Sequence, residues 1–196
     1  MQVVIWTLLA FFFGAVPFSL LVGRYALRTD IRAVGDGNPG ATNVLRSGGR
    51  AWAAVALLLD MLKGALPAAL AYAVFGWRSW ECLPIALAPL LGHSFSPFLR
   101  GKGGKGVAVT GGVWIGLTYG VATAVGALFL TAGYAVGDNS GWAVAAGLAG
   151  IGGYLALFRR DPVLLVIWFF HTLLVLWRYR AELRQRPRMR AWLRRK

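Results

Sequence analysis

The chain has 196 residues, 58% of them hydrophobic, with one cysteine and a formal net charge of +14. Soluble domains are usually about 45–50% apolar, so the composition points away from a soluble globule. With Cys82 alone there is no internal disulfide and no multi-cysteine metal site.

A charge of +14 would suggest nucleic acid in a soluble protein. Here many cations sit in the tail RYRAELRQRPRMRAWLRRK, beside an apolar run, where topology and anionic lipid explain them. No folded basic module is left over, so nucleic acid is not expected as a partner.

In chain order, the apolar segments are 2–23, 51–75, 82–99, 106–118, 121–136, 141–157 and 162–177. Most have the length a helix needs to cross about 30 Å of hydrocarbon. Runs such as AWAAVALLLD do not alternate, which argues against a β-barrel. The expectation is an all-α, polytopic integral membrane protein with about seven transmembrane helices. It forms a single membrane-embedded domain over 1–196, with 178–196 as a basic cytoplasmic tail. The first run lacks the basic start and small-residue cleavage site of a signal peptide and reads as a retained span.

The region 106–136 is either one long helix or two helices broken near Tyr119-Gly120. Charge parity decides between them. Loop 24–50 carries Arg24, Arg28, Arg32, Arg46 and Arg50, and the tail carries eight arginines and Lys196. The positive-inside rule places both in the cytoplasm. They share a side only if the span count is odd. Seven spans follow, with the N-terminus outside and the C-terminus cytoplasmic. Arg159-Arg160 then fall outside, against the rule. Segment 106–118 is about 20 Å long as a helix. It is expected to be a half-helix entering from the cytoplasmic face.

Four polar features need a reason. Asp60 and Lys63 lie three apart in ALLLDMLKGAL, on one helical face. Either they neutralise each other inside the bundle, or Lys63 presents charge to an anionic substrate while Asp60 orients it. His93 is a candidate catalyst or a hydrogen-bonded structural residue; His171, with no polar company, reads as structural. GKGGKG, at 101–106, offers glycine backbone, a helix N-terminus, Lys102 and Lys105. That is either a phosphate site or a flexible basic loop at the lipid surface. It is not a nucleotide P-loop, because Val107 stands where the hydroxyl residue should be. GDGNPGATN, at 35–43, repeats the profile: Asn38, Thr42 and Asn43 supply donors, and Arg46 follows. Parity puts both loops on one side, which suggests a substrate with phosphate groups and a greasy part.

Three stretches, GDGNPGATN, LLDMLKG at 58–64 and GHSFSPFLRGKGGKGVAVT at 92–110, resemble the acyl-phosphate-dependent glycerol-3-phosphate acyltransferases of bacteria, the PlsY family. The likeness covers most of the chain. It implies transfer of a fatty acyl group from acyl phosphate to the 1-hydroxyl of glycerol 3-phosphate, giving lysophosphatidic acid and phosphate. It implies substrate binding at Gly37, Asn38, Gly40, Asn43 and Arg46, and at His93, Lys102, Gly103, Gly104, Lys105 and Gly106. Asp60, Lys63 and Gly64 match a D-x-x-K-G feature. No cofactor and no metal are implied. The partners are fatty acyl phosphate, glycerol 3-phosphate, membrane lipid and an upstream enzyme that forms acyl phosphate. The location implied is the bacterial cytoplasmic (inner) membrane, multi-pass, with the active site facing the cytoplasm.

The chain departs from the family pattern in places. Asp36 stands where the family usually has serine; it would repel phosphate unless it holds Arg46 or a lysine. Gly101 replaces a usual aromatic. The family's R-Y-x-S keeps only Tyr134, and its C-terminal R-H-x-x-N becomes Arg178-Tyr179-Arg180-Ala181-Glu182. The expected catalytic set is Lys105, His93 and Asn38. Substrate contacts are expected from Asp36, Gly37, Gly40, Thr42, Asn43, Arg46, Lys63, Lys102, Gly103, Gly104 and Gly106, with Asp60 orienting. Lys105 and the backbone of 103–106 are assigned to one phosphate, and Arg46, Asn38 and Asn43 to the other. Two other readings stay open: a transporter or flippase of a phosphorylated lipid, and a non-catalytic relative.

Overall fold

The structure, a computed structural model, describes residues 1–190 and Trp192. The remainder of the expected basic tail, Lys196 included, lies outside the described residues. The described chain is helical apart from one isolated bridge between Gly137 and Met189. It divides into two compact units, residues 1–117 and residues from 118 onward.

The first unit contains α1 (Gln2–Ala15), α2 (Phe18–Ala26), the short α3 (Ala41–Arg46), α4 (Arg50–Ala69), α5 (Cys82–Ser94) and α6 (Val107–Thr118), whose last residue opens the second unit. Three helical stretches here are long and apolar enough to cross a membrane: Gln2–Ala26, Arg50–Val74 and Cys82–Leu99. Pro17 interrupts the first, because proline has no N–H to continue the ladder. The carbonyls freed at the end of α1 then need other donors. Ser96 Oγ donates to Ala15 O at 2.6 Å, and Lys63 Nζ donates to Val16 O at 2.8 Å. The break therefore ties α1 to α4 and to the segment after α5.

Glycines set how closely these helices approach. A Cβ on Gly14 would overlap the Pro89 backbone, and one on Gly92 would overlap Phe11 O. Hence α1 and α5 touch backbone to backbone. A Cβ on Gly64 would overlap Val109 O, and one on Gly112 would overlap Met61 O, so α4 and α6 do the same. Small residues at helix contacts are the usual membrane solution, since lipid is as apolar as a leucine core and association relies on close packing.

The second unit holds α7 (Val121–Val136), α8 (Ser140–Tyr154), α9 (Pro162–Arg178) and the short α10 (Arg180–Leu183). The stretch Ser140–Arg159 is long and apolar enough to span, while Val121–Val136 and Pro162–Arg178 are shorter apolar helices. The break ahead of α7 falls at the expected place. Tyr119 (φ 53°) and Gly120 (φ 87°) are both left-handed and end α6. Asn139 caps α8, accepting from Gly141 N at 2.8 Å, and also donates to Glu182 O at 2.8 Å. The tail folds back on the same loop: Asp138 N donates to Arg188 O and Arg190 N to Val136 O.

The exterior is apolar. Leu8, Phe12, Leu58, Leu62, Leu128, Phe169 and Leu173 are exposed, whereas Ser19, Asp60, Lys63 and His93 are buried. That inversion suits a lipid solvent.

Gly112→Val tests the close α4–α6 contact. The added side chain meets backbone, which cannot step aside as a flexible side chain would. We expect a loss of about 3 kcal/mol, seen as a clear drop in thermal midpoint in detergent. An unchanged midpoint would mean that the two helices are not in backbone contact.

Candidate functional site

Two glycine-rich segments converge in the first unit. The first runs from a 3₁₀ turn at Ile31–Ala33 through GDGNPGATN into α3. Gly35 (φ +63°) and Gly37 (φ +71°) are left-handed, which glycine adopts without the steric cost other residues carry. Gly35 is doubly required, because a Cβ there would also meet Asn43 Oδ1 at 2.5 Å. Asn43 is 1% exposed and acts as the brace. Its Nδ2 donates to Asn38 O at 2.9 Å and to Asp36 Oδ1 at 3.0 Å, while its Oδ1 accepts from Arg46 at 3.1 Å.

The second segment is GKGGKG, leading into α6. Gly104 N donates to His93 O at 3.1 Å. A Cβ on Gly103 would overlap that same carbonyl, and one on Gly104 would overlap the His93 ring at Nε2. Gly106 (φ +85°) makes the final turn before the helix. These glycines wrap the loop tightly around His93.

The two segments meet at Asp36. Lys105 Nζ donates to Asp36 Oδ2 at 2.7 Å, Asn38 N donates to Oδ1 at 3.2 Å, and Arg46 lies 3.9 Å from Oδ1. The loops therefore approach each other around one carboxylate, with Lys105 on it from the second loop and Arg46 beside it from the first. Asp36 holds a lysine, one of the two ways its sequence position was expected to be tolerated, and stands close to Arg46 as well. Burial alone would raise its carboxyl. The hydrogen bond and charge of Lys105, with the Asn38 amide and Asn43, outweigh burial and hold it below the usual carboxylate range. The pair is thus intact at neutral pH. A depressed carboxylate contributes its stability above the unfolded value, and that contribution is lost as pH falls through the folded value. The Asp36 side chain is 40% exposed, so water screens much of the contribution.

A second cluster lies beneath the loops. Lys63 is fully buried and Asp60 is 2% exposed, forming an ion pair at 2.8 Å. Lys63 Nζ also contacts His93 Nδ1 at 2.9 Å. Ser19 Oγ donates to Asp60 Oδ2 at 2.5 Å. Lys63 is directed at Asp60, a backbone carbonyl and His93, and His93 links it to the second loop. Lys102 is exposed on the second loop, and Thr42 is exposed on α3. Gly37 and Gly40 shape the first loop. Two contributors were not singled out in the sequence. Gly35 was one glycine among several, and Ser19 was a hydroxyl in an apolar run, which is itself a usable signal.

The geometry has counterparts among known proteins. A family model described as glycerol-3-phosphate acyltransferase matches residues 4–187. A protein of that name from Erythrobacter litoralis is 36% identical over 184 residues, 91% of this chain and 88% of the relative. One from Thermus thermophilus is 37% identical over 191 residues, 94% of this chain and 92% of the relative. A crystal structure described as PlsY (YgiH), an integral membrane glycerol 3-phosphate acyltransferase, in its glycerol 3-phosphate form, superposes with a TM-score of 0.88 at 26% identity and covers 98% of both chains. The lysophosphatidic acid form of that enzyme gives 0.84 at 26% identity, over 94% of this chain and 91% of that one.

Asp36→Ser tests whether the carboxylate occupies an anion site. Removing one negative charge leaves Lys105 and Arg46 available to phosphate. Inorganic phosphate should bind about five- to tenfold more tightly, the equivalent of roughly 1 kcal/mol. Titration calorimetry in detergent reads this directly. Equal or weaker binding would show that Asp36 does not compete for those donors.

Proposed function

The chain belongs to the glycerol-3-phosphate acyltransferase family, and from that premise we propose that it moves a fatty acyl group from acyl phosphate to the 1-hydroxyl of glycerol 3-phosphate. The products are lysophosphatidic acid and inorganic phosphate. One observation within the structure carries the reading: Lys105, Arg46, Asn43 and the Asn38 amide converge on a single anion position. Their helices have apolar outer faces suited to a lipid-soluble donor.

The chemistry asks little of covalent catalysis, because phosphate is already a good leaving group. The hydroxyl oxygen attacks the acyl carbonyl carbon, an ester C–O bond forms, and the carbonyl C–O bond to phosphate breaks. The protein brings the two within about 3–3.5 Å and orients them. It also neutralises charge on the departing phosphate. Lys105 and the backbone of 103–106 are suited to that task. Arg46, Asn38 and Asn43 border the same space and are suited to a second phosphate alongside. A substrate phosphate takes Lys105 by displacing Asp36, which half-exposure permits. The hydroxyl proton passes to the departing phosphate, so no separate base is required.

The positive-inside distribution supports a bacterial inner-membrane location with this face toward the cytoplasm. Seven spans with the N-terminus outside are part of the same proposal. The hydrogen bond from Lys105 to Asp36 supports the part of it that sets loop 24–50 and loop 100–106 on one side.

The test uses detergent-purified protein with palmitoyl phosphate and glycerol 3-phosphate, following lysophosphatidic acid and phosphate together. Equal amounts of both are expected. Lys105→Ala should lower turnover about 10²- to 10³-fold, the usual effect of removing one charge-stabilising donor, while the fold stays intact. Phosphate without lysophosphatidic acid would point to a different acceptor alcohol. Neither product from folded protein would favour a transporter or a non-catalytic relative.

A further inference from the structure

We infer that His93 serves this site as a hydrogen-bond donor through Nε2–H, fixed in that tautomer by Lys63 as a positioning residue, and that it is not the general base. The catalytic consequence rests on the acyl-transfer reading, whereas the tautomer rests on the buried geometry alone.

A lysine ammonium has three N–H donors and no acceptor. Three groups surround Lys63 Nζ: Val16 O at 2.8 Å, Asp60 Oδ1 at 2.8 Å and His93 Nδ1 at 2.9 Å. Val16 O and Nδ1 stand at hydrogen-bond distance and Asp60 Oδ1 is the ion-pair partner; an ammonium has no acceptor, so Nδ1 must offer it a lone pair. A neutral imidazole with its lone pair on Nδ1 carries its proton on Nε2. The alternatives fit worse. An imidazolium would set an N–H and a second cation against the ammonium at hydrogen-bond distance. A neutral lysine would leave Asp60 as a buried carboxylate without its counter-ion, with Ser19 as its remaining hydrogen-bond donor. An uncompensated buried charge is strongly destabilising.

Orientation then gives the role. Gly103 and Gly104 pack against the His93 carbonyl and ring, and the Nε2 edge lies against Gly104. The ring cannot turn over without losing Lys63 on one side and colliding with the loop on the other. A base needs a lone pair aimed at the attacking hydroxyl. The ring's lone pair is aimed at Lys63. What His93 presents toward the phosphate-binding loop is an N–H, suited to an oxygen that gains negative charge during transfer. The hydroxyl proton leaves on the phosphate, so the step balances without His93 changing its protonation.

The experiment begins with the intact wild-type protein. The chain has two histidines, so ring nitrogen-15 spectra in detergent show two side chains, and His93→Gln assigns His93 by difference. The expected result is a single neutral Nε2–H tautomer. An Nδ1–H tautomer or an imidazolium overturns the inference, and this reading needs neither a Lys63 variant nor any activity. If the protein proves not to transfer acyl groups, the acyl-transfer proposal fails while the tautomer is still decided. In the active protein, His93→Gln retains an amide donor and should keep turnover within about tenfold, whereas His93→Leu should lose about 10²-fold. A folded His93→Gln as inactive as His93→Leu would return His93 to the role of base. Lys63→Met should release the ring into mixed tautomers and lower kcat more than the KM for glycerol 3-phosphate. An unchanged tautomer in that variant would remove Lys63 from the argument.

Discussion

A lysine ammonium buried among apolar helices must find a counter-charge and hydrogen-bond partners, and the first unit is arranged to supply three such groups. One is a carboxylate on the same helix, one an imidazole on α5, and one a carbonyl that exists only because Pro17 stops α1 from continuing. The helix break, the ion pair and the histidine are therefore a single structural fact. Removing Pro17 would return the carbonyl to a helical ladder. Removing Asp60 would strand a cation in surroundings where an unpaired charge is severely penalised. A buried ion pair contributes little net stability against a well-packed apolar substitute. Its presence here makes sense as a device for holding His93 at a fixed angle beneath the glycine loop.

Glycine supplies the complementary half of the construction. The contacts of α1 with α5 and of α4 with α6 bring backbones together with no side chain between them. That closeness lets Lys63 Nζ reach both the end of α1 and the His93 ring. A looser bundle would take Val16 O or His93 out of reach of the ammonium. Packing and electrostatics thus depend on each other. The small residues make the network geometrically possible, and the network offsets the desolvation of the groups the packing buries.

Much of this was legible in the chain, and the failures have physical reasons. The apolar runs set the helices because bilayer thickness sets a length. The break at Tyr119-Gly120 followed from charge parity before any coordinate. The face shared by Asp60 and Lys63 followed from helical spacing. What spacing cannot show is a partner 30 residues away on another helix, so the link from Lys63 to His93 was invisible. The same holds for Asp36. The sequence says that an acid beside a donor-rich loop must hold Arg46 or a lysine, but not that the lysine is Lys105, 69 positions further along. Sequence separates two loops that the fold brings together around one carboxylate. Thr42 and Lys102 share the composition of the cluster and are exposed, which a motif cannot reveal.

The two ion pairs differ chiefly in their access to water, and that difference divides their work. Lys63–Asp60 is sealed at 0% and 3% side-chain exposure, whereas Lys105–Asp36 stands at 14% and 40%. Opening the first would place bare charges in hydrocarbon, so it stays closed and holds geometry. Opening the second exchanges one hydrated anion for another, which costs little because exposed pairs are worth only about 0–1 kcal/mol. A substrate phosphate, carrying more charge than a carboxylate, can win that exchange. The carboxylate then also keeps two cations compensated while no substrate is present, which steadies a loop otherwise built from glycine. A static pair below and an exchangeable pair above is the arrangement a site needs if it must bind a charged group at a membrane face without loosening the bundle that supports it.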